Sequence, residues 1–200
     1  MTHPPLHRRS FIRGSLALAG AGAWIGKAAA QATAEGDFWA LLREGGHILL
    51  MRHAQTDPGV GDPPNFRVGD CSTQRNLSEA GREQSRRVAA AFAREGLRID
   101  DVRSSAWCRC VDTAELAFGK HAVWPPINSF FGRGGAGDSQ TRQVLDALKD
   151  FKGPDNIALV THQVNITALT GGFVSMGEML LTRPDPANPQ RLRVLARQIA

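Results

Sequence analysis

A chain of 200 residues with 42% hydrophobic and 22% charged residues fits one globular domain, and 21 glycines with 11 prolines exclude collagen-like, coiled-coil and wholly disordered classes. The formal charge of +5 invites a nucleic-acid reading, but Arg8, Arg9, Arg13 and Lys27 fall within residues 1–32, which hold no carboxylate. Taking those four from the 24 lysines and arginines leaves 20 basic against 19 acidic residues, so no nucleic-acid partner is expected.

The first segment predicts a secretory leader. Arg8-Arg9 precede Ser10-Phe11-Ile12-Arg13, an uncharged stretch of thirteen residues runs from Gly14 to Gly26, and Lys27 is followed by Ala28-Ala29-Ala30-Gln31-Ala32. Paired arginines before a Gly/Ala-rich apolar stretch resemble a twin-arginine signal, which implies the twin-arginine export machinery as a partner and a periplasmic or otherwise exported location. Thirteen helical residues span about 20 Å against a hydrocarbon core of roughly 30 Å, so cleavage after Ala32, or after Ala30, is expected over a retained anchor. The domain at 33–200 is then expected to have no stable membrane span.

A short helix is predicted over Phe38–Arg43, then a buried strand over His47–Met51. Residues 54–77 carry Asp57-Pro58-Gly59, Gly61, Pro63-Pro64 and Gly69, which predicts a long functional loop. Ser78 is a candidate N-cap for a helix to Arg94 that Gly96 closes. Strands follow over Ile99–Arg103, at Val123-Trp124 on an edge, and over Asn156–Val160; helices are predicted over Trp107–Phe118, Gln140–Phe151 and Val164–Leu169. Glu178–Thr182 and Arg191–Leu195 suggest a terminal hairpin. Alternating strands and helices predict a three-layer α/β/α sandwich around a mainly parallel mixed sheet, with an antiparallel edge strand.

Ligands of open α/β sheets sit beyond the carboxyl ends of the strands. There the sequence places Arg52-His53, then Ser104-Ser105 with Arg109, then Thr161-His162. Guanidinium forks match phosphate oxygens, and the helix start near Trp107 would add N–H donors. One neutral imidazole can attack phosphorus in line while the other bonds an equatorial oxygen, giving a phosphohistidine intermediate without metal or cofactor.

These residues resemble the histidine phosphatase (phosphoglycerate mutase-like) superfamily. The resemblance is carried by Leu49–Thr56 around Arg52-His53, by Arg75-Asn76-Leu77-Ser78 with Gly81 and Gln84, by Ser104-Ser105 through Arg109 to Asp112-Thr113-Ala114, and by Leu159–His162, over about residues 45–200. It implies His53 as nucleophile, with Arg52, Arg109 and His162 forming the phosphate pocket. Thr56 is a further phosphate candidate. The leaving-group acid departs from the family's pattern: Gln163 follows the second histidine where some members have Asp, and Asp138 is the only carboxylate in the loop where others have Glu. Asp138 is therefore the candidate proton donor. His47 and His121 read as structural or solvated.

Three cysteines in an exported chain invite a disulfide. Cys108 and Cys110 are too close on a helix to pair, whereas either could meet Cys71; three buried thiols is the alternative, and Cys-Arg-Cys lacks metal-site spacing. The expected activity is hydrolysis of a small-molecule phosphate ester or a phosphorylated envelope component. Phe130–Gly135 is expected to cap the leaving group. A phosphate-ester-binding module with little turnover, a mutase and a thiol redox site are the other readings.

Overall fold

The computed structural model describes Met1, residues 38–133 and residues 135–199. The leader expected over residues 1–32 lies outside the described residues apart from Met1. Five helices, at 38–44 (α1), Glu79–Arg94 (α2), Cys108–Phe118 (α3), Ala136–Leu148 (α4) and Gln163–Thr170 (α5), accompany six strands. These are Ile48–Arg52 (β1), Asp101–Ser104 (β2), Ala122–Val123 (β3), Ile157–Thr161 (β4), Glu178–Pro184 (β5) and Leu192–Ile199 (β6).

The strands form one sheet in the order β3-β2-β4-β1-β5-β6. β3, β2, β4 and β1 run parallel; β5 pairs antiparallel with β1, and β6 with β5. The antiparallel part is the terminal hairpin that the sequence suggested, with β6 as the antiparallel edge strand. Alternation along each strand splits the core into two layers. Leu49, Met51, Ala158, Val160, Met179 and Leu181 pack with α1, α2 and α3, through side chains such as Phe38, Val88 and Ala114. Ile48, Leu50, Ile157, Leu159 and Leu180 face Val144, Leu148, Ile166 and Leu169 of α4 and α5. Among the described residues, no helix is long and apolar enough to cross a membrane.

Ser78 caps α2 by accepting from the Gly81 amide at 3.2 Å, and Gly96, at φ 64°, stands just beyond the helix. A Cβ on Gly81 would lie 1.9 Å from the Gln55 carbonyl oxygen, so only glycine lets α2 approach the chain leaving β1. α4 begins at Ala136, four residues before the predicted start, because Gly135 turns into the left-handed region (φ 80°) and opens the helix there.

Candidate active site

β1 and β4 are parallel neighbours with Arg52 opposite Thr161, and the His53 amide donates to the Thr161 carbonyl at 2.9 Å. His53 and His162 therefore leave adjacent strands together, their ring centroids 5.5 Å apart. β2 lies on the far side of β4, and the Ser105 amide donates to Val160 O at 2.9 Å, which carries the chain into α3 and Arg109. These residues open on a cavity of about 590 Å³ whose walls include Arg52, His53, Arg75, Arg109 and His162.

His53 Nδ1 lies 2.9 Å from the Ala54 carbonyl. A carbonyl only accepts, so Nδ1 carries the proton and Nε2 keeps its lone pair. Burial, then the charge of Arg109, pushes the His53 pKa down to about 3 against the opposing Ala54 bond, so the ring is neutral at physiological pH. Burial, with His53 and Arg109 next, holds His162 well below its ordinary value. His162 Nε2 is 2.8 Å from Ser105 Oγ and 3.4 Å from Cys110 Sγ. Ser105 Oγ also lies 3.2 Å from Asn128 Oδ1.

Arg52 Nη1 donates to Gln163 Oε1 at 3.1 Å and to Val174 O at 2.9 Å. Gln163, at the position where a carboxylate was sought, thus orients Arg52. Arg109 is held differently: Nη1 and Nη2 donate to Oδ1 and Oδ2 of Asp62 at 2.7 and 3.2 Å. Asp62 also accepts from the Trp107 indole at 2.9 Å and the Arg75 amide at 3.1 Å. Burial alone would raise the Asp62 carboxyl, but the bonds and charge of Arg109 outweigh it and hold the group below its ordinary value, ionised.

Several expectations are corrected. Asp138 is exposed on the first turn of α4 and does not line the cavity; a carboxylate there faces the positive end of its own helix. Thr56 also stands off the cavity, its hydroxyl 3.9 Å from Met176 Sδ and its backbone bridged to Leu77. The helix start does not offer all its donors to a ligand, since Gln74 Oε1 takes the Cys108 amide at 3.0 Å and Ser105 Oγ the Trp107 amide at 3.4 Å. Of the cap segment, Phe131, Gly132 and Arg133 do line the cavity. Cys71 is bonded to Cys108, while Cys110 is a buried free thiol whose pKa burial raises to about 12. His47 is buried, and His121 Nδ1 meets Glu115 Oε1 at 2.5 Å near the surface.

Asp62 and Arg75 escaped the sequence reading. Asp62 sits among glycines and prolines and looks like a turn residue, and Arg75 stands in a recognised motif without an evident role. The one available signal was their place in the loop between β1 and α2, the kind of segment that carries function.

A family model described as histidine phosphatase superfamily (branch 1) matches residues 48–128, from β1 to just beyond β3. Over those residues, fewer than half of the chain, the sequence is similar to the histidine phosphatase superfamily. Solved structures similar to this chain include a protein described as phosphohistidine phosphatase SixA from Agrobacterium tumefaciens, at 19% identity and TM-score 0.51, covering 77% of this chain and 97% of that one. A protein described as an alpha-ribazole-5'-P phosphatase from Escherichia coli matches at 16% identity and TM-score 0.55, over 75% and 94%. A phosphoglycerate mutase from Thermus thermophilus matches at 20% identity and TM-score 0.55, over 77% and 98%. At these identities the likeness is one of fold. No curated protein sequence matches the chain.

Proposed function

We propose that the chain is a histidine phosphatase that hydrolyses a phosphomonoester by way of a phosphohistidine at His53, without metal, on an extracytoplasmic substrate. The observation that carries the mechanism is the Ala54 hydrogen bond, which leaves His53 Nε2 as a neutral nucleophile beside His162 and two guanidiniums. The Nε2 lone pair forms a P–N bond as the bridging P–O bond breaks, and the departing oxygen keeps that electron pair and takes a proton from water. The Nδ1–H to Ala54 O bond steadies the positive charge the ring acquires. Water then attacks phosphorus, the P–N pair returns to Nε2, inorganic phosphate leaves and a proton passes to solvent. Arg52, Arg109 and His162 hold the equatorial oxygens as charge moves through them.

Among the described residues, Asp62 is the only carboxylate lining the cavity, and Arg109 keeps it ionised. It is a poor proton source, which favours substrates whose leaving groups depart without a strong acid, such as aryl phosphates or phosphoramidates. The protein described as SixA is a phosphohistidine phosphatase by name, in keeping with the second class. Two observations support export: the paired-arginine leader and the Cys71–Cys108 bond, which suits an oxidising compartment. The substrate is then a phosphate ester or phosphorylated component of the envelope.

The test is hydrolysis of an aryl phosphate in EDTA by the native chain and by His53→Ala. Activity that survives EDTA, falls at least about a thousandfold in the variant and leaves an acid-labile phosphoryl label on the native protein is the expected result. Activity retained in His53→Ala overturns the mechanism, and phosphate binding with no turnover makes the protein a binding module.

A further inference from the structure

Besides Arg133 of the cap segment, whose guanidinium lies over the Trp107 ring, three guanidiniums reach the cavity, although the family resemblance supplied only two of them. Arg52 comes from the end of β1 and Arg109 from α3; Arg75 arrives on the long loop between β1 and α2. Its backbone is fixed on both sides of the peptide: the amide donates to Asp62 Oδ1 at 3.1 Å, and the carbonyl accepts from Arg109 Nη1 at 3.3 Å. Its side chain donates through Nη1 to the Gly59 carbonyl. No carboxylate forms an ion pair with the Arg75 or the Arg52 guanidinium among the described residues.

Arg52, Arg75 and Arg109 less the one carboxylate of Asp62 leave two positive charges among these four groups, and the exposed Arg133, over the Trp107 ring, adds another on the cavity wall. The Nε atoms of Arg52, Arg75 and Arg109 are all buried without a hydrogen-bond partner. A buried guanidinium donor without an acceptor is costly, and like charges brought together raise that cost, unless an anion completes the set. Burial, with Arg109 next, already lowers the Arg75 pKa, and Arg75 helps to lower that of Arg52.

We propose that Arg75 is a third phosphoryl-binding guanidinium, delivered by the β1–α2 loop, and that it matches the site to a phosphomonoester dianion over a diester monoanion. The inference rests on the phosphatase reading above for the identity of the anion. Asp62 has the positioning role: its carboxylate holds Arg109 and the Arg75 backbone at the same space, and the cationic surplus that remains favours a dianion over a monoanion.

Inorganic phosphate titrated into the full chain and into Arg75→Ala and Arg75→Lys reads this directly, with KM and kcat for an aryl phosphate measured beside it. Arg75→Ala is expected to weaken phosphate about 10- to 100-fold, the worth of a charge-assisted hydrogen bond, and to raise KM by a similar factor with a smaller fall in kcat. Arg75→Lys is expected to recover part of that affinity, a point charge replacing a fork. The aryl diester should compete at least about tenfold less well than the monoester against the native chain. If Arg75→Ala does not fold, Arg75→Gln, which keeps a donor for Gly59, takes its place. Phosphate affinity unchanged in the folded variant overturns the proposal, as does a rise in KM alone, which would put Arg75 against the leaving group, or equal competition by the diester. A native chain that binds phosphate through Arg75 yet releases no product would remove the phosphatase reading and leave the third guanidinium standing.

Discussion

Asp62 and Arg109 meet as a two-point ion pair with side chains only 8% and 4% exposed, so a buried guanidinium of the site is held by a loop residue forty-seven positions earlier in the chain. The pair joins the Gly/Pro-rich loop between β1 and α2 to α3.

Asp62→Ala leaves Arg109 buried without its counter-charge, and breaking a buried pair from one side costs about 3–5 kcal/mol. Chemical denaturation should show that loss, with Asp62→Asn losing less because one acceptor remains. Added phosphate should restore the Ala variant more than it stabilises the native protein, since it supplies the missing anion. A change under about 0.5 kcal/mol, the ordinary range for a surface substitution, would mean that the pair holds nothing together.

Acid should destabilise the fold before its carboxylates titrate. His53 has a folded pKa of about 3 and His162 one well below normal, against about 6.5 in the unfolded chain. As pH falls, the unfolded chain takes up these protons first. The contribution is whole above about pH 6.5 and is lost below it, by about 1.4 kcal/mol per pH unit for each histidine. Stability measured between about pH 6.5 and 5 should slope accordingly, and His53→Asn should remove one histidine's share; equal stability across that interval would contradict the neutral assignment.

The Cys71–Cys108 bond closes a separation of 37 residues, for which a chain-entropy model gives about 4 kcal/mol. Reduction, or Cys71→Ser with Cys108→Ser, should lower the melting temperature and raise KM for an aryl phosphate, because the bond ties the loop carrying Asp62 and Arg75 to the start of α3. Thiol labelling of the denatured chain should find one thiol before reduction, that of Cys110, and three after it. Three in both conditions would mean that no bond forms.

The strands were legible because their residues are buried on both faces and read as short apolar runs: Leu49-Leu50-Met51 and Ala158-Leu159-Val160 allow little else. The Arg-His step that ends one run and the Thr-His step that ends the other were legible for the same reason, since strand ends point at the site. Asp62 was not, because its meaning depends on a tertiary partner in α3 that local pattern does not encode. Asp138 misled in the opposite sense: a lone acid in a Gly-rich stretch suggested chemistry, whereas it occupies the favourable first turn of a helix. Gln163 looked like a missing acid until its carbonyl was found holding Arg52.

Because β4 slides between β1 and β2, strands that precede it by more than fifty residues, the gap in the sheet stays open until nearly the whole chain has emerged during synthesis. A nascent chain ending near Phe118 already contains both sulfurs of the Cys71–Cys108 bridge and the Asp62–Arg109 pair, but not the second imidazole. The Asp62–Arg109 pair can form early; competence for chemistry arrives only with the last parallel strand.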